Sequence, residues 1–174
     1  AATTRISLLS PPLRSRFSGG TFRLEFYTNE EIAKIIQGSA KKLEINISEN
    51  AALEIAKRSR STPRTANFLL KRARDIAQLQ GSEINSQTIE EMFEMIGIDS
   101  LGLNQIDRVM LKDMIEKFKG GPVGLSTIAA AISEEPATIE EVYEPYLIQK
   151  GLIEKTPKGR LVTDAGYDHM NISK

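Results

Sequence analysis

The sequence predicts a mainly α-helical protein in which a four-helix bundle is followed by a winged helix with a β-hairpin wing. Three observations lead to this fold class. Four amphipathic stretches with helix-start signals follow one another between residues 28 and 98. A glycine-containing interruption at residues 97–103 separates them from a second set of helices. That second set ends in two short strands around a Pro-Lys-Gly turn, and three helices followed by a hairpin form the winged-helix variant of the helix-turn-helix.

Composition excludes several classes of function. The 174 residues carry 23 basic and 23 acidic side chains, so nucleic-acid binding would depend on local patches rather than on a global field. The absence of cysteine excludes disulfides and thiolate metal sites, and the single histidine, His169, provides no plausible zinc ligand set. Cysteine usage also predicts a cytoplasmic location. No apolar stretch approaches the roughly 20 residues that span a bilayer, so we predict no membrane embedding.

The first half of the chain contains an irregular segment, one strand and four helices. Residues 1–21 contain nothing that closes a core, whereas residues 22–27 alternate apolar and charged side chains, as in a half-buried strand. We expect this strand to pair with sequence outside the chain. The four helix starts are predicted at Thr28, with Glu31 completing a capping box, at Ser48, at Ser61 or Thr62 before Pro63, and at Ser86.

The second half contains three helices and a hairpin. Asn104 is expected to cap a helix that runs to about Phe118, and residues 125–132 form a short second helix. A capping box of Thr138 and Glu141 is expected to start the third helix, in which Pro145 should introduce a kink. Two strands are predicted on either side of the turn at residues 156–159.

Charge favours the hairpin over the third helix as a nucleic-acid contact. Between residues 138 and 149 the charged side chains are Glu140, Glu141 and Glu144, which a phosphate backbone would repel. The hairpin region has the opposite sign, because four cations stand against Glu154 for a net charge of +3 within eleven residues: Lys150, Lys155, Lys158 and Arg160. We predict weakly sequence-specific, salt-dependent contacts to phosphates through this wing. A solvated turn in a protein-interaction winged helix is the alternative.

Arg64 occupies an unusual position for a cation. It falls in the first turn of its helix, where the helix dipole disfavours positive charge and favours an anion. A guanidinium there adds bidentate donors to the amides of the helix start, which suits a phosphate group. The alternative is an exposed arginine that is solvated or paired with a carboxylate.

Arg14 and Arg16 present a similar choice. Spaced by two residues on an irregular or strand-like segment, they would point the same way and form an anion clamp. They are equally compatible with ordinary surface positions.

Several segments together resemble one family. They are residues 2–5, 9–17, 24–28, 58–64, 120–125, 144–149 and 156–160, and they include Leu-Arg-Ser-Arg-Phe, Thr-Pro-Arg and Thr-Pro-Lys-Gly-Arg. Their order and spacing resemble those of the RuvB family of bacterial Holliday-junction branch-migration ATPases. The resemblance runs nearly from end to end, and the combination is far more specific than any one segment.

The resemblance implies an AAA+ motor that hydrolyses ATP to ADP with magnesium and acts as a homohexamer on double-stranded DNA and Holliday junctions. RuvA would be its junction-binding partner, and RuvC would join it in resolution. Residues 1–27 would be the tail of the large ATPase subdomain, residues 28–98 the helical AAA+ lid, and residues 99–174 the winged-helix DNA-binding domain. The chain contains no Gly-x-x-x-x-Gly-Lys-Ser/Thr phosphate loop, so we expect it to be inactive alone and to hold no nucleotide tightly.

The resemblance also implies roles for individual residues. Arg16 would be the arginine finger that reaches the nucleotide of a neighbouring subunit, Arg64 the second sensor in the lid, and Tyr27 a residue lining the adenine or ribose. Thr3 or Thr4 would correspond to the first sensor. The basic residues expected at DNA are Lys155, Lys158 and Arg160. Ser61 departs from the family, which usually has glycine before the threonine.

A function of a different class is also compatible with the residues taken alone. A non-enzymatic winged-helix regulator or adaptor could combine DNA binding with a helical dimerisation domain. Such a protein would prefer a specific operator sequence, whereas a motor would bind duplexes with little sequence preference.

Overall fold

The computed structural model describes residues 2–3, 6, 9–17 and 19–173, and over these residues the chain is mainly helical, as predicted. The helices are α1 (Pro11–Arg16), α2 (Asn29–Lys42), α3 (Glu49–Arg58), α4 (Pro63–Gln80), α5 (Ser86–Ile96), α6 (Gln105–Glu116), α7 (Leu125–Ile132), α8 (Pro136–Thr138), α9 (Glu144–Gln149) and α10 (Asp164–Met170). A π-helical turn, Ile139–Tyr143, joins α8 to α9. The strands are β1 (Ile153–Thr156) and β2 (Gly159–Val162).

Helices α2 to α5 form the lid bundle around one apolar core. Its centre is built from buried side chains that recur at helical spacing, including Ile32, Ile55, Leu69 and Phe93. The predicted caps are present at three starts: Thr28 forms its capping box with Glu31, and Ser48 and Thr62 accept bonds from first-turn amides. The fourth helix begins at Ser86 as predicted, with Asn85 as its cap. Local side-chain chemistry therefore determines where each helix of the lid begins.

The winged helix has a separate core that α6, α7, the α8–α9 helix, the hairpin and α10 share. Asn104 caps α6 in a capping box with Asp107. Strand β1 pairs antiparallel with β2, from Ile153 opposite Val162 to Thr156 opposite Gly159, as the sequence predicted. Gly159 has φ +137, and a Cβ there would stand 2.4 Å from the backbone oxygen of Val123, so only glycine fits this end of the turn. The wing is thus held against the segment that precedes α7.

The strand predicted over residues 22–27 is not formed. These residues belong to no helix or strand, and Phe22 and Leu24 are each 89% exposed. An alternating sequence forms a strand only when a neighbouring strand satisfies its backbone, and the sheet in the described part of the chain contains only β1 and β2. The irregular segment expected before it instead contains the short helix α1. Arg14 and Arg16 lie about 160° apart around that helix, so of the two alternatives the structure forms ordinary surface positions rather than a clamp whose arginines point the same way.

The third helix of the winged helix also begins differently from the prediction. It starts at Pro136, and Thr138 makes no side-chain cap bond, so the capping box of Thr138 and Glu141 is wrong. Proline suits a first helical turn, where its missing N–H is not needed. Pro145 is accommodated by the π-helical turn before it, in which the amide of Glu144 bonds to the carbonyl of Ile139. Helix α10, capped by Thr163, was not predicted at all.

Length and polarity leave no candidate membrane span among the helices of the described residues. The same residues contain no group of three or more histidine, cysteine, aspartate or glutamate side chains placed to hold a metal ion.

Candidate functional site

The start of α4 presents a free arginine. Thr62 caps this 18-residue helix by accepting a bond from the amide of Thr65, and Pro63 occupies the first position. The side chain of Arg64 is exposed, and it has no ion pair with any described residue. The structure therefore places the guanidinium in solvent beside the positive end of a long helix dipole. The carboxylate-paired alternative is not what this part of the chain forms.

The other nucleotide-site residues that the resemblance implies precede the lid and are exposed where the structure describes them. Arg16 lies in the last turn of α1 and is exposed, and Tyr27 is 47% exposed just before the lid. Within the described ranges neither side chain has a hydrogen bond or an ion pair with the lid. Thr3 is exposed, and Thr4 lies outside the described residues.

The wing exposes fewer cations than its sequence suggests. Arg160 is 8% exposed, and its Nε and Nη2 atoms donate to Oε2 of Glu144 at 2.9 and 2.7 Å. Glu144 is itself buried, at 3% exposure, so the pair forms inside the domain between β2 and α9. This burial is a correction to the expectation that Arg160 lies on the DNA-facing surface, because its donors are directed at a carboxylate of its own domain.

Lys155 is exposed but also engaged. Its Nζ atom lies 2.9 Å from Oε1 of Glu140 and 3.4 Å from Oε1 of Glu144. The hydrogen bond to Glu140 and the charge of Glu144 raise the pKa of Lys155. Lys158, at the tip of the turn, is exposed and has no ion pair with a described residue. Among the cations of the described residues 153–162, Lys158 is therefore the one without a carboxylate beside it. Lys150, which precedes β1, is also exposed, and its Nζ atom lies 5.5 Å from the ring centroid of Tyr146.

A third cluster lies between the lid and the winged helix, where sequence reasoning identified no site. Arg60, in the α3–α4 loop, forms an ion pair with Asp107 of α6. Its Nε atom donates to the carbonyl of Gly102 at 3.2 Å, and its guanidinium lies 4.6 Å from the ring centroid of Tyr146. Asp107 could be identified from the sequence only as part of a helix cap. A contact between residues 47 positions apart leaves no periodic signal.

Burial dominates the electrostatics of this cluster. Removal from water raises the pKa of the Asp107 carboxyl, against the opposing effects of the Asn104 amide and Arg60. Removal from water likewise raises the pKa of Tyr146 to about 12, and its hydroxyl donates to the carbonyl of Leu101 at 2.7 Å. Both groups are therefore held inside the junction by hydrogen bonds rather than by solvent.

Comparisons with known proteins agree with this architecture. Residues 27–99 match the family model described as the RuvB AAA lid domain, and residues 100–171 match the RuvB C-terminal winged helix domain. The solved structure of the Thermotoga maritima RuvB Holliday junction branch migration motor is 45% identical, with a TM-score of 0.89 over 97% of this chain and 56% of that chain. A point mutant of the same protein is 46% identical, with a TM-score of 0.91 over 99% of this chain and 58% of that chain. The chain thus spans a little more than half the length of the structures that it matches.

Proposed function

The chain belongs to the RuvB family, and from this premise we propose that it supplies the nucleotide-sensing lid and the DNA-contacting winged helix of an ATP-driven branch-migration motor. The observation that carries the proposal is Arg64, an exposed cation at the start of α4 with no carboxylate partner among the described residues. A charge in the least favourable end of a helix dipole is stabilised when an anion binds there. The matched solved structure is named as a Holliday junction motor, which supports the same function here.

We propose that Arg64 contacts a phosphate of ATP bound to the large subdomain of the same subunit. The helix start supplies partial positive charge, and the guanidinium donates hydrogen bonds to the phosphate. These hydrogen bonds change when the terminal phosphate is lost. Tyr27, which directly precedes the lid, would line the adenine or ribose. The lid would then change position with the nucleotide state.

Arg16 acts in this proposal on the nucleotide of the neighbouring subunit. An arginine finger stabilises the charge that develops on the transferred phosphoryl group. Its exposure on α1, without an ion pair to a described residue, is compatible with a partner that another subunit provides. ATP and magnesium would be held mainly by residues outside this chain, so we expect no hydrolysis by these 174 residues alone.

The wing contributes a narrow contact to duplex DNA. Lys158 is exposed at the tip of the turn. Lys155 is paired with Glu140, and Arg160 is paired with Glu144. We expect these lysines to contact phosphates, which carry no sequence information directly. Weak sequence preference suits a motor that must move along any DNA and disfavours the operator-specific regulator. Assembly into a hexamer, partnership with RuvA and RuvC, and a cytoplasmic location belong to the same proposal.

The proposal is tested by two arginine substitutions in the full-length hexamer. Arg16→Ala should lower ATP turnover by about a thousandfold or more while nucleotide binding is kept, because the finger acts on the transition state. Arg64→Ala should weaken nucleotide binding by roughly tenfold or more, because it removes a charge-assisted bond in the bound state. Turnover and fluorescent-nucleotide titration separate the two effects.

Each substitution has a matched control. Arg14→Ala changes an exposed arginine on the same short helix, and Arg72→Ala changes an exposed arginine on α4 that is paired with Asp75 at 3.6 Å. Both controls should keep the parent turnover and affinity. Normal turnover in Arg16→Ala would remove the finger from the proposal, and normal affinity in Arg64→Ala would remove the sensor.

A further inference from the structure

The loop between α3 and α4 has an unusual backbone. Arg60 and Ser61 both lie in the left-handed region, each with φ 55, although neither is glycine. Side chains with a Cβ rarely adopt this conformation, so the surrounding contacts must hold the loop in place. Ser61 stands just before the cap of α4, and Arg64 lies in the first turn of that helix. The start of α4 is closed by its own cap at Thr62, so the loop joins an independently formed helix start to whatever holds Arg60.

Arg60 connects this loop to the winged helix and to the linker, in addition to the local bonds between Ser59 and Thr62. The Arg60 guanidinium pairs with Asp107, donates to the Gly102 carbonyl, and stacks on Tyr146. Its three partners lie on α6, on the inter-domain linker and on α9. A planar guanidinium that is bonded at its edge and stacked on its face has a defined orientation, which a lysine ammonium would not have.

The partners of Arg60 are themselves fixed. Asp107 is fully buried, and its Oδ2 atom also accepts a bond from the amide of Asn104 at 2.8 Å, which closes the α6 cap. The Tyr146 hydroxyl is bonded to the linker at Leu101. A Cβ on Gly102 would stand 2.9 Å from the Arg58 carbonyl and 3.1 Å from the Tyr146 hydroxyl, so the lid, the linker and α9 are in close contact at this point.

The linker is bonded to the winged helix: Arg108 of α6 donates to the carbonyls of Gly97 and Leu103 at 3.0 and 2.9 Å, and the His169 ring of α10 lies 2.9 Å from Oδ2 of Asp99. Gly97 and Gly102 both have positive φ, and the chain passes between the two units only once, through residues 97–103. Arg60 adds a contact from a separate part of the lid, the α3–α4 loop. A contact outside the linker opposes a hinge motion that the linker alone would allow.

We propose that Arg60 is a positioning residue that couples the lid to the winged helix, so that a displacement of the Arg64 helix start moves the wing as part of the same body. The effect on DNA rests on the proposed function, in which a wing that follows the lid converts a nucleotide-dependent change into movement of DNA. The contact itself is a property of this chain alone.

The first experiment measures the contact directly. The 174 residues contain no cysteine, so spin labels at Leu79→Cys on the lid and Lys158→Cys on the wing are unique within them. Double electron–electron resonance of this chain should show one narrow distribution of distances between the two labels. Arg60→Ala should broaden this distribution, and Arg72→Ala should leave it unchanged. Arg60→Lys should give an intermediate width, because it keeps a charge for Asp107 but loses the stacked plane. Circular dichroism checks that each variant is folded.

The second experiment measures coupling in the full-length hexamer. Arg60→Ala should keep ATP turnover but lower the number of base pairs migrated per ATP hydrolysed by about tenfold, within the range of typical coupling free energies. Arg60→Lys should recover part of that ratio, and Arg72→Ala should match the parent. A residue with a purely structural role would instead lower turnover and migration together.

The outcomes separate the two proposals. A broad distribution in the parent, or an unchanged distribution in Arg60→Ala, overturns the coupling role whatever the motor does. A broadened distribution with an unchanged migration-to-turnover ratio also overturns it, since the wing would then work without the connection. If the parent hexamer fails to migrate junctions, the proposed function fails while the distance measurement still decides the contact.

Discussion

The α3–α4 loop of the lid and the hairpin of the winged helix have the same arrangement of cations. Each contains one arginine that is bound to a buried carboxylate, Arg60 in the loop and Arg160 in the hairpin. Each also presents one exposed cation close by in sequence, Arg64 and Lys158, that has no ion pair with a described residue. In both regions the tertiary structure therefore separates a cation that holds the fold from a cation that is available to a ligand.

The two regions differ in where the carboxylate lies. Glu144 belongs to the same domain as Arg160, so their pair stabilises the winged helix itself. Asp107 lies across the domain boundary from Arg60, so their pair fixes one domain relative to the other. The same chemical group therefore supports stability in one place and coupling in the other, and substitutions should separate the two roles.

The largest effect is expected for Arg160→Ala. Removal of the guanidinium leaves Glu144 buried without its main partner, and breaking a buried pair in this way should lower the free energy of unfolding by about 3 kcal/mol. Urea unfolding measures this change, and Lys158→Ala is the control, with an expected change within about 0.5 kcal/mol. If the Arg160→Ala variant is as stable as the parent but binds DNA more weakly, Arg160 contacts DNA rather than stabilising the domain.

A smaller effect is expected from alkaline pH at the domain junction. The folded chain keeps the Tyr146 proton up to a pKa of about 12, whereas the unfolded chain releases it near 10. Between these values the unfolded state binds fewer protons, so the free energy of unfolding falls as pH rises. The free energy of unfolding is lowered by about 2 to 3 kcal/mol once the pH exceeds both pKa values of Tyr146.

Tyr146→Phe tests this dependence. The variant should lack the phenol's share of the stability loss between pH 9 and pH 11, although it loses the bond to Leu101 at every pH. Tyr27→Phe, at an exposed position, should retain the parent's dependence. Equal slopes in the parent and in Tyr146→Phe would show that the phenol is not held at the junction.

The smallest effect is expected at the tip of the wing. Lys158→Ala should weaken duplex binding by a few-fold and reduce the salt dependence of the affinity by about one counterion, the contribution of a single phosphate contact. Lys155→Ala should have less effect, because Glu140 and Glu144 already neutralise this side chain. Fluorescence anisotropy over a series of salt concentrations measures both variants. A larger loss for Lys155→Ala than for Lys158→Ala would reverse the assignment of the free cation.

Sequence patterns predicted the elements more accurately than the sites. Helix starts at Thr28, Ser48 and Asn104 depend on bonds between residues three apart, so the sequence contains all of the information needed. The hairpin follows from a turn whose residues are adjacent. The predicted strand at residues 22–27 failed because a strand also requires a partner, which no described residue provides.

The candidate site divides in the same way. An arginine at a helix start can be identified from Pro63 and the apolar spacing that follows, and the structure leaves Arg64 exposed there. The burial of Arg160 could not be predicted, because its partner Glu144 is 16 residues away on another element. The net charge of the hairpin region counted every cation as able to contact DNA, whether or not a carboxylate of the fold binds it.

The sequence by itself determined the starts of the lid helices and of α6, the β1–β2 hairpin and the family resemblance, because these depend on neighbours along the chain and on residue identity. The tertiary structure decided which cations remain available, since a guanidinium is occupied only when folding brings a buried carboxylate to it. It also decided that Arg60 meets Asp107 and Tyr146 across the domain boundary. Contacts of that kind arise from packing between distant segments, and no local pattern in the chain encodes them.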